Sequence, residues 1–148
     1  MLFRSNGADR FRFTIGDGVD AVDGGDGQDR LEVFGTAAAN TLSVTWDGAQ
    51  LVVAGQTLTS VEEITADLGG GTDRITYLIP LGFGIDIDMT APTLPGFLSV
   101  ANVEEVVTAA GDDHFRDRSG SQLLDGRGGN DIFDIAVDDA AEIGRAHV

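Results

Sequence analysis

The sequence predicts an all-β chain of stacked, repeating units, on three observations. A nine-residue glycine–aspartate frame recurs along it, short apolar runs between the copies alternate with period two, and no stretch carries a helical period with caps. Composition agrees: 21 Gly and a large excess of Asp over Glu favour turns and disfavour helix interiors.

The clearest copy of the frame is Gly24-Gly25-Asp26-Gly27-Gln28-Asp29-Arg30-Leu31-Glu32, which reads G-G-x-G-x-D-x-U-x with U a large apolar residue. Nine residues earlier, Gly16-Asp17-Gly18-Val19-Asp20-Ala21-Val22 fits the same register, and Gly7-Ala8-Asp9-Arg10-Phe11 fits its second half. The pattern returns at Gly69 and Gly71 to Asp73 and Ile75, at Gly111-Asp112-Asp113-His114-Phe115, and at Gly126-Arg127-Gly128-Gly129-Asn130-Asp131-Ile132-Phe133. Degenerate copies lie at Gly35 to Leu42, with Asn40 in the aspartate slot, and at Gly120 to Leu124, with Gln122 there. A longer repeat overlays these: Val61-Glu62-Glu63-Ile64 leads into the Asp73 copy and Val103-Glu104-Glu105-Val106 into the Asp113 copy.

Between the copies, the runs Leu42 to Trp46, Leu51 to Gly55, Ile75 to Ile79 and Gly84 to Met89 are rich in β-branched residues and read as strands. Asp47-Gly48 between the first two reads as an ordinary hairpin turn. Pro80, Pro92 and Pro95 bracket a segment around Gly82 to Gly96 that reads as a lateral loop or irregular turn. A single frame buries one apolar side chain, too little to fold alone, so neighbouring frames must stack. Two frames make an 18-residue unit. Asp113 and Asp131, 18 apart, fall on one edge, as do Asp9 and Asp29, 20 apart; Asp20 falls on the opposite edge with Asn40 above it.

The chain carries 25 acidic against 9 basic residues, a formal net charge of −16. A polyanion or an anionic membrane surface is therefore a poor partner. No apolar run is long enough to span a bilayer. There are no cysteines, so disulfides and thiolate metal sites are excluded. Repulsion among so many carboxylates calls for neutralisation, and the frame offers it. Glycines let the backbone bend so that carbonyls converge, and the sixth-position Asp adds a carboxylate. An all-oxygen, flexible donor set suits Ca²⁺ better than Mg²⁺.

These motifs resemble the repeats-in-toxin (RTX) family of calcium-binding nonapeptide repeats, and the stretch Ser99 to Phe115 followed by Leu124 to Phe133 is similar to the repeat region of serralysin-like secreted proteins. The resemblance implies a parallel β-roll or β-helix solenoid, with an irregular β part in the middle. It implies Ca²⁺ held by the loop glycines Gly7, Gly16, Gly18, Gly24, Gly25, Gly27, Gly69, Gly71, Gly111, Gly126, Gly128 and Gly129 with Asp9, Asp20, Asp29, Asp73, Asp113 and Asp131. It also implies an extracellular bacterial setting, with the parent protein exported by type I secretion machinery.

The expected organisation is frames over 6–35, an irregular β-solenoid or β-rich insertion over 36–110, and frames again over 111–141. Residues 1–5 and 142–148 back-translate to a short string and its reverse complement, as a sequencing adapter would, and are expected to be foreign. Catalytic motifs are lacking: there is no H-E-x-x-H, no G-x-S-x-G and, without Lys, no phosphate loop. The adjacent pairs Glu62-Glu63 and Glu104-Glu105 face opposite sides of a strand and cannot act on one bond. The expected function is thus a non-enzymatic, calcium-dependent structural module. The alternatives are a β-helix module of a polysaccharide lyase or epimerase, or a surface adhesin repeat with a glycan or surface partner. Trp46 is expected to be a packing residue, and His114 an exposed one.

Overall fold

The computed structural model describes residues 2–4, 6–53, 55–80, 82–120, 122–135 and 142–143, the first and last of these segments by backbone alone. The described residues form no helix and sixteen strands. In chain order these are β1 (Leu2–Arg4), β2 (Arg10–Thr14), β3 (Ala21–Asp23), β4 (Arg30–Thr36), β5 (Thr41–Trp46), β6 (Leu51–Val53), β7 (Thr57–Thr59) and β8 (Glu63–Gly69). They continue with β9 (Arg74–Leu78), β10 (Asp86–Asp88), β11 (Ser99–Ala101), β12 (Glu105–Val107), β13 (His114–Arg116), β14 (Leu123–Asp125), β15 (Ile132–Asp134) and β16 (Glu142–Ile143).

The strands form four sheets, in the orders β1-β3-β7, β11-β8-β4-β2, β16-β14-β12-β9-β5-β6 and β10-β13-β15. Pairing is parallel throughout except at the β5–β6 hairpin. That hairpin turns at Asp47, whose Oδ1 accepts the Ala49 and Gln50 N–H groups, as the sequence predicts. The segment 82–96 is not merely lateral: it contributes β10, and Ile87, Met89 and Leu94 from it are buried in the core. The buried Tyr77 hydroxyl donates to the Pro95 carbonyl at 2.9 Å, fastening this segment to β9. Burial holds the Tyr77 phenol well above its usual pKa.

The frame's eighth position supplies the core. Phe11, Leu31 and Ile64 stand in register across β2, β4 and β8, and Leu42, Ile75, Val106 and Leu124 across β5, β9, β12 and β14. Ile87, Phe115 and Phe133 do so across β10, β13 and β15, where the two phenyl rings stack at 4.8 Å and 4°. Period-two alternation puts these residues inward and their neighbours outward. Leu31, Ile75 and Phe115 are at most 1 % exposed.

The return distance between paired strands is not constant. It is 18 residues from β13 to β15 and 20 from β2 to β4, close to two frames. In the middle it widens to 33 from β4 to β8 and from β5 to β9, and to 31 from β9 to β12. This changes one predicted neighbour. Asn40 does not lie over Asp20; it lies beside Asp73, while Asp20 lies beside Gln56, because the hairpin and β7 add residues before the chain returns. The terminal segments expected to be foreign pair as edge strands, β1 on β3 and β16 on β14, through backbone registers that require no particular side chain. Truncating the stacked ring of Phe115 to alanine opens a cavity in the third column. It is expected to cost about 3–5 kcal/mol, read as a lower urea midpoint.

Candidate metal centre

Each candidate acid sits one residue before a strand. At Asp29, Asp73, Asp113 and Asp131 the side chain reaches sideways and takes the N–H at the same position, one residue ahead of the preceding paired strand. Asp29 Oδ1 accepts the Asp9 N–H at 2.8 Å, and Asp73 Oδ1 accepts the Asn40 N–H at 2.7 Å. Asp131 Oδ1 accepts the Asp113 N–H at 3.0 Å, and Asp113 Oδ1 the Ile85 N–H at 2.8 Å. Asp29, Asp73 and Asp113 are almost wholly buried, at 0, 0 and 2 % exposure. Burial of Asp113 raises its carboxyl pKa, against the lowering effect of the Thr108 hydroxyl.

The expected split of each Glu-Glu pair to opposite sides of the strand adds two members to this ladder, and Gln56, which sequence reasoning missed, adds a third. Glu62 Oε2 accepts the Asp29 N–H at 2.8 Å, Glu104 Oε2 the Asp73 N–H at 2.9 Å, and Gln56 Oε1 the Asp20 N–H at 3.1 Å. Their signal was present as a polar acceptor two residues before an apolar one, as in Glu62-x-Ile64 and Gln56-x-Leu58, only without glycines. The neighbouring Glu63 and Glu105 point outward instead and pair with Arg30 and Arg74, so the two glutamates of each pair do serve opposite sides of the strand.

One oxygen of Asp29, Asp73, Asp113 and Asp131 is thus committed to the backbone. The other is the informative one. Oδ2 of Asp9, Asp29, Asp73 and Asp131 is buried without a hydrogen-bond partner, and so are both oxygens of Asp117. An unpartnered buried carboxylate oxygen is costly, and a cation is a standard remedy. Around Asp29 a second oxygen converges: a β-carbon at Gly24 would collide with both Asp29 Oδ2 and the Ser60 carbonyl oxygen. The degenerate copy repeats this arrangement, with Asn40 Oδ1 and the Leu68 carbonyl at Gly35, and at Gly126 the colliding atom is Asp131 Oδ2. Among the described residues, no three or more His, Asp or Glu side chains converge. A cation here would be held by one or two carboxylates and backbone carbonyls. An oxygen-only set of that kind fits Ca²⁺.

The structure brings some predicted copies together and not others. Gly7 lies against Gly27 (φ +137°), where a β-carbon would strike the Gly7 carbonyl. Gly111 lies against Gly129 (φ +130°) in the same way, and its N–H donates to the Gly128 carbonyl at 2.7 Å. The Gly25 N–H is taken by its neighbour Asp23 Oδ1. Gly69 and Gly71 pack on Thr36 and on Ala38 and Ala39 of the degenerate copy. The Gly16–Gly18–Asp20 copy faces no other glycine loop; Gln56 Nε2 donates to the Gly18 carbonyl. Asp117, the other missed residue, is 5 % exposed and opens the frame whose sixth position is Gln122, so that the acid stands at the first position and an amide at the sixth.

Two other residues depart from expectation. Trp46 is 40 % exposed rather than packed; it stacks on Phe83 at 6.2 Å and lines a cavity of about 320 Å³ with Leu51, Ile79, Pro80, Ile85 and Pro95. His114 is half-buried between Asp86 and Asp134, at 3.3 and 2.9 Å. Beside it, Asp88 has its pKa lowered first by the Thr90 hydroxyl, with Arg116 adding to the effect.

Replacing Glu62 by alanine leaves the buried Asp29 N–H without an acceptor and is expected to cost about 1–3 kcal/mol in urea unfolding, whereas Glu62→Gln, which keeps an acceptor oxygen, recovers most of that loss. No family model, curated protein or solved structure matches this chain.

Proposed function

We propose that this chain is a calcium-binding structural module, a parallel β-solenoid of a secreted bacterial protein, without catalytic activity of its own. The observation that supports it most is the row of buried, unpartnered Oδ2 atoms at Asp9, Asp29, Asp73 and Asp131, each beside a stacked glycine turn. The regular parallel registers support the solenoid. The residues that would hold the ion are these aspartates with turn carbonyls such as that of Ser60. A bound Ca²⁺ supplies positive charge that no side chain of this lysine-free, strongly acidic chain supplies at those points.

The rest is done by the protein. Oδ1 of Asp29, Asp73 and Asp131 accepts a backbone N–H, which fixes the orientation of the carboxyl group and leaves Oδ2 for a hard cation. With Oδ2 left uncompensated, burying the acids is unfavourable and the stack stays loose; with it compensated, the apolar columns close. Binding and folding are then one equilibrium. The working range of extracellular calcium modules, with Kd of roughly 10⁻⁴–10⁻³ M, suits a switch that is off inside a cell and on outside it. A second reading, a surface that contacts glycan or another partner, is favoured by one observation, the exposed Trp46–Phe83 stack.

Circular dichroism and calorimetry of the full chain test the proposal. In EDTA the β signal is expected to be weak, and millimolar calcium chloride is expected to restore it with a measurable heat of binding. An equal β signal in both conditions, or no heat, overturns it.

A further inference from the structure

Resting on the calcium reading above, we infer that a hydroxyl on the residue opening a nine-residue frame withholds that frame's carboxylate from an ion. The frames ending at Asp29 and Asp131 open with Gly24 and Gly126. With no side chain there, Oδ2 folds back against the glycine Cα and has no donor. The frame ending at Asp113 opens instead with Thr108, which is wholly buried. The Thr108 hydroxyl donates to Asp113 Oδ2 at 2.5 Å, while Oδ1 takes the Ile85 N–H at 2.8 Å. Both oxygens of Asp113 are therefore served by the protein, and Asp113 is absent from the group with unpartnered oxygens.

The hydroxyl occupies the lone pair that a cation would need. Binding there would require the Thr108 O–H to turn away, exchanging a short charge-assisted hydrogen bond for an ion contact in a site already satisfied. The degenerate frame Gly35 to Asn40 shows a third solution. Its sixth residue is a neutral amide whose Oδ1 accepts the Thr36 N–H at 2.7 Å, so no charge is buried. Frames of the same spacing thus divide into acids whose opening residue, Gly24, Leu68 or Gly126, has no side-chain donor and which need a cation, a threonine-opened acid that does not, and a glycine-opened amide that carries no charge. The structure assigns ion binding to Asp29, Asp73 and Asp131 and withholds it from Asp113, although all four hold the same place in the repeat.

Calorimetric titration of the full chain with calcium chloride tests this by counting ions. Asp29→Asn and Asp131→Asn are each expected to lower the stoichiometry by one, while Asp113→Asn leaves it unchanged. Thr108→Gly, which rebuilds the glycine-opened corner, is expected to raise it by one, a gain that an unfolded variant does not produce; Thr108→Ser, which keeps the hydroxyl, is expected to match the parent chain. If Asp113→Asn loses an ion as Asp131→Asn does, or Thr108→Gly gains none, the inference is overturned while the calcium reading stands. If the parent chain takes up no calcium at all, the calcium reading itself fails and this inference with it.

Discussion

Everything in this structure hangs on a lateral hydrogen bond between a side-chain oxygen at the mouth of one strand and the backbone N–H at the mouth of its neighbour. Parallel strands pair with slanted, evenly spaced bonds, and the amide just before each strand falls outside that pattern. Here Asp29, Glu62, Asp73, Glu104, Asp113 and Asp131 fill the gap. These bonds set which residue faces which. Once Asp29 is opposite Asp9, Leu31 must stand opposite Phe11, and the apolar columns follow from the pleat.

The same device explains where the charge goes. Of the acids that cap strand mouths, Asp29, Asp73 and Asp113 are buried away from solvent, whereas Glu63 and Glu105, one residue after the capping glutamates, meet arginines. Arg30 with Glu63 and Arg74 with Glu105 repeat the same ion pair on successive levels. Such half-exposed pairs add little stability each, on the order of 0.2–1 kcal/mol. Their placement nonetheless matches arginine to glutamate across one register and disfavours a slip that would bring like charges together.

The flanks of the fold were legible in the sequence because nothing there interrupts the nine-residue count. Asp113 lands beside Asp131 and Asp9 beside Asp29, with Phe115 under Phe133 and Phe11 under Leu31. The middle was only half legible. Extending the count through Gly35 to Leu42 placed Asn40 over Asp20, but the β5–β6 hairpin and β7 intervene and Asn40 meets Asp73 instead. Glycine was the cue for a turn, so the turns capped by Glu62, Glu104 and Gln56 carried no cue, and the two glutamates were read only as strand residues. Trp46 was read as a packing residue, yet at the end of β5 it keeps 40 % exposure and stacks on Phe83.

The lateral bonds also have an arrow. In seven of them the acceptor side chain belongs to the later strand and the amide to the earlier one: Asp29 for Asp9, Gln56 for Asp20, Glu62 for Asp29, Asp73 for Asn40, Glu104 for Asp73, Asp113 for Ile85, Asp131 for Asp113. The Asn130 N–H, given to Asp112 Oδ1, runs the other way. The asymmetry bears on what loss of a strand leaves behind. Removing the last strand of a column strands an unmet amide, while removing the first frees only a carboxylate or amide oxygen.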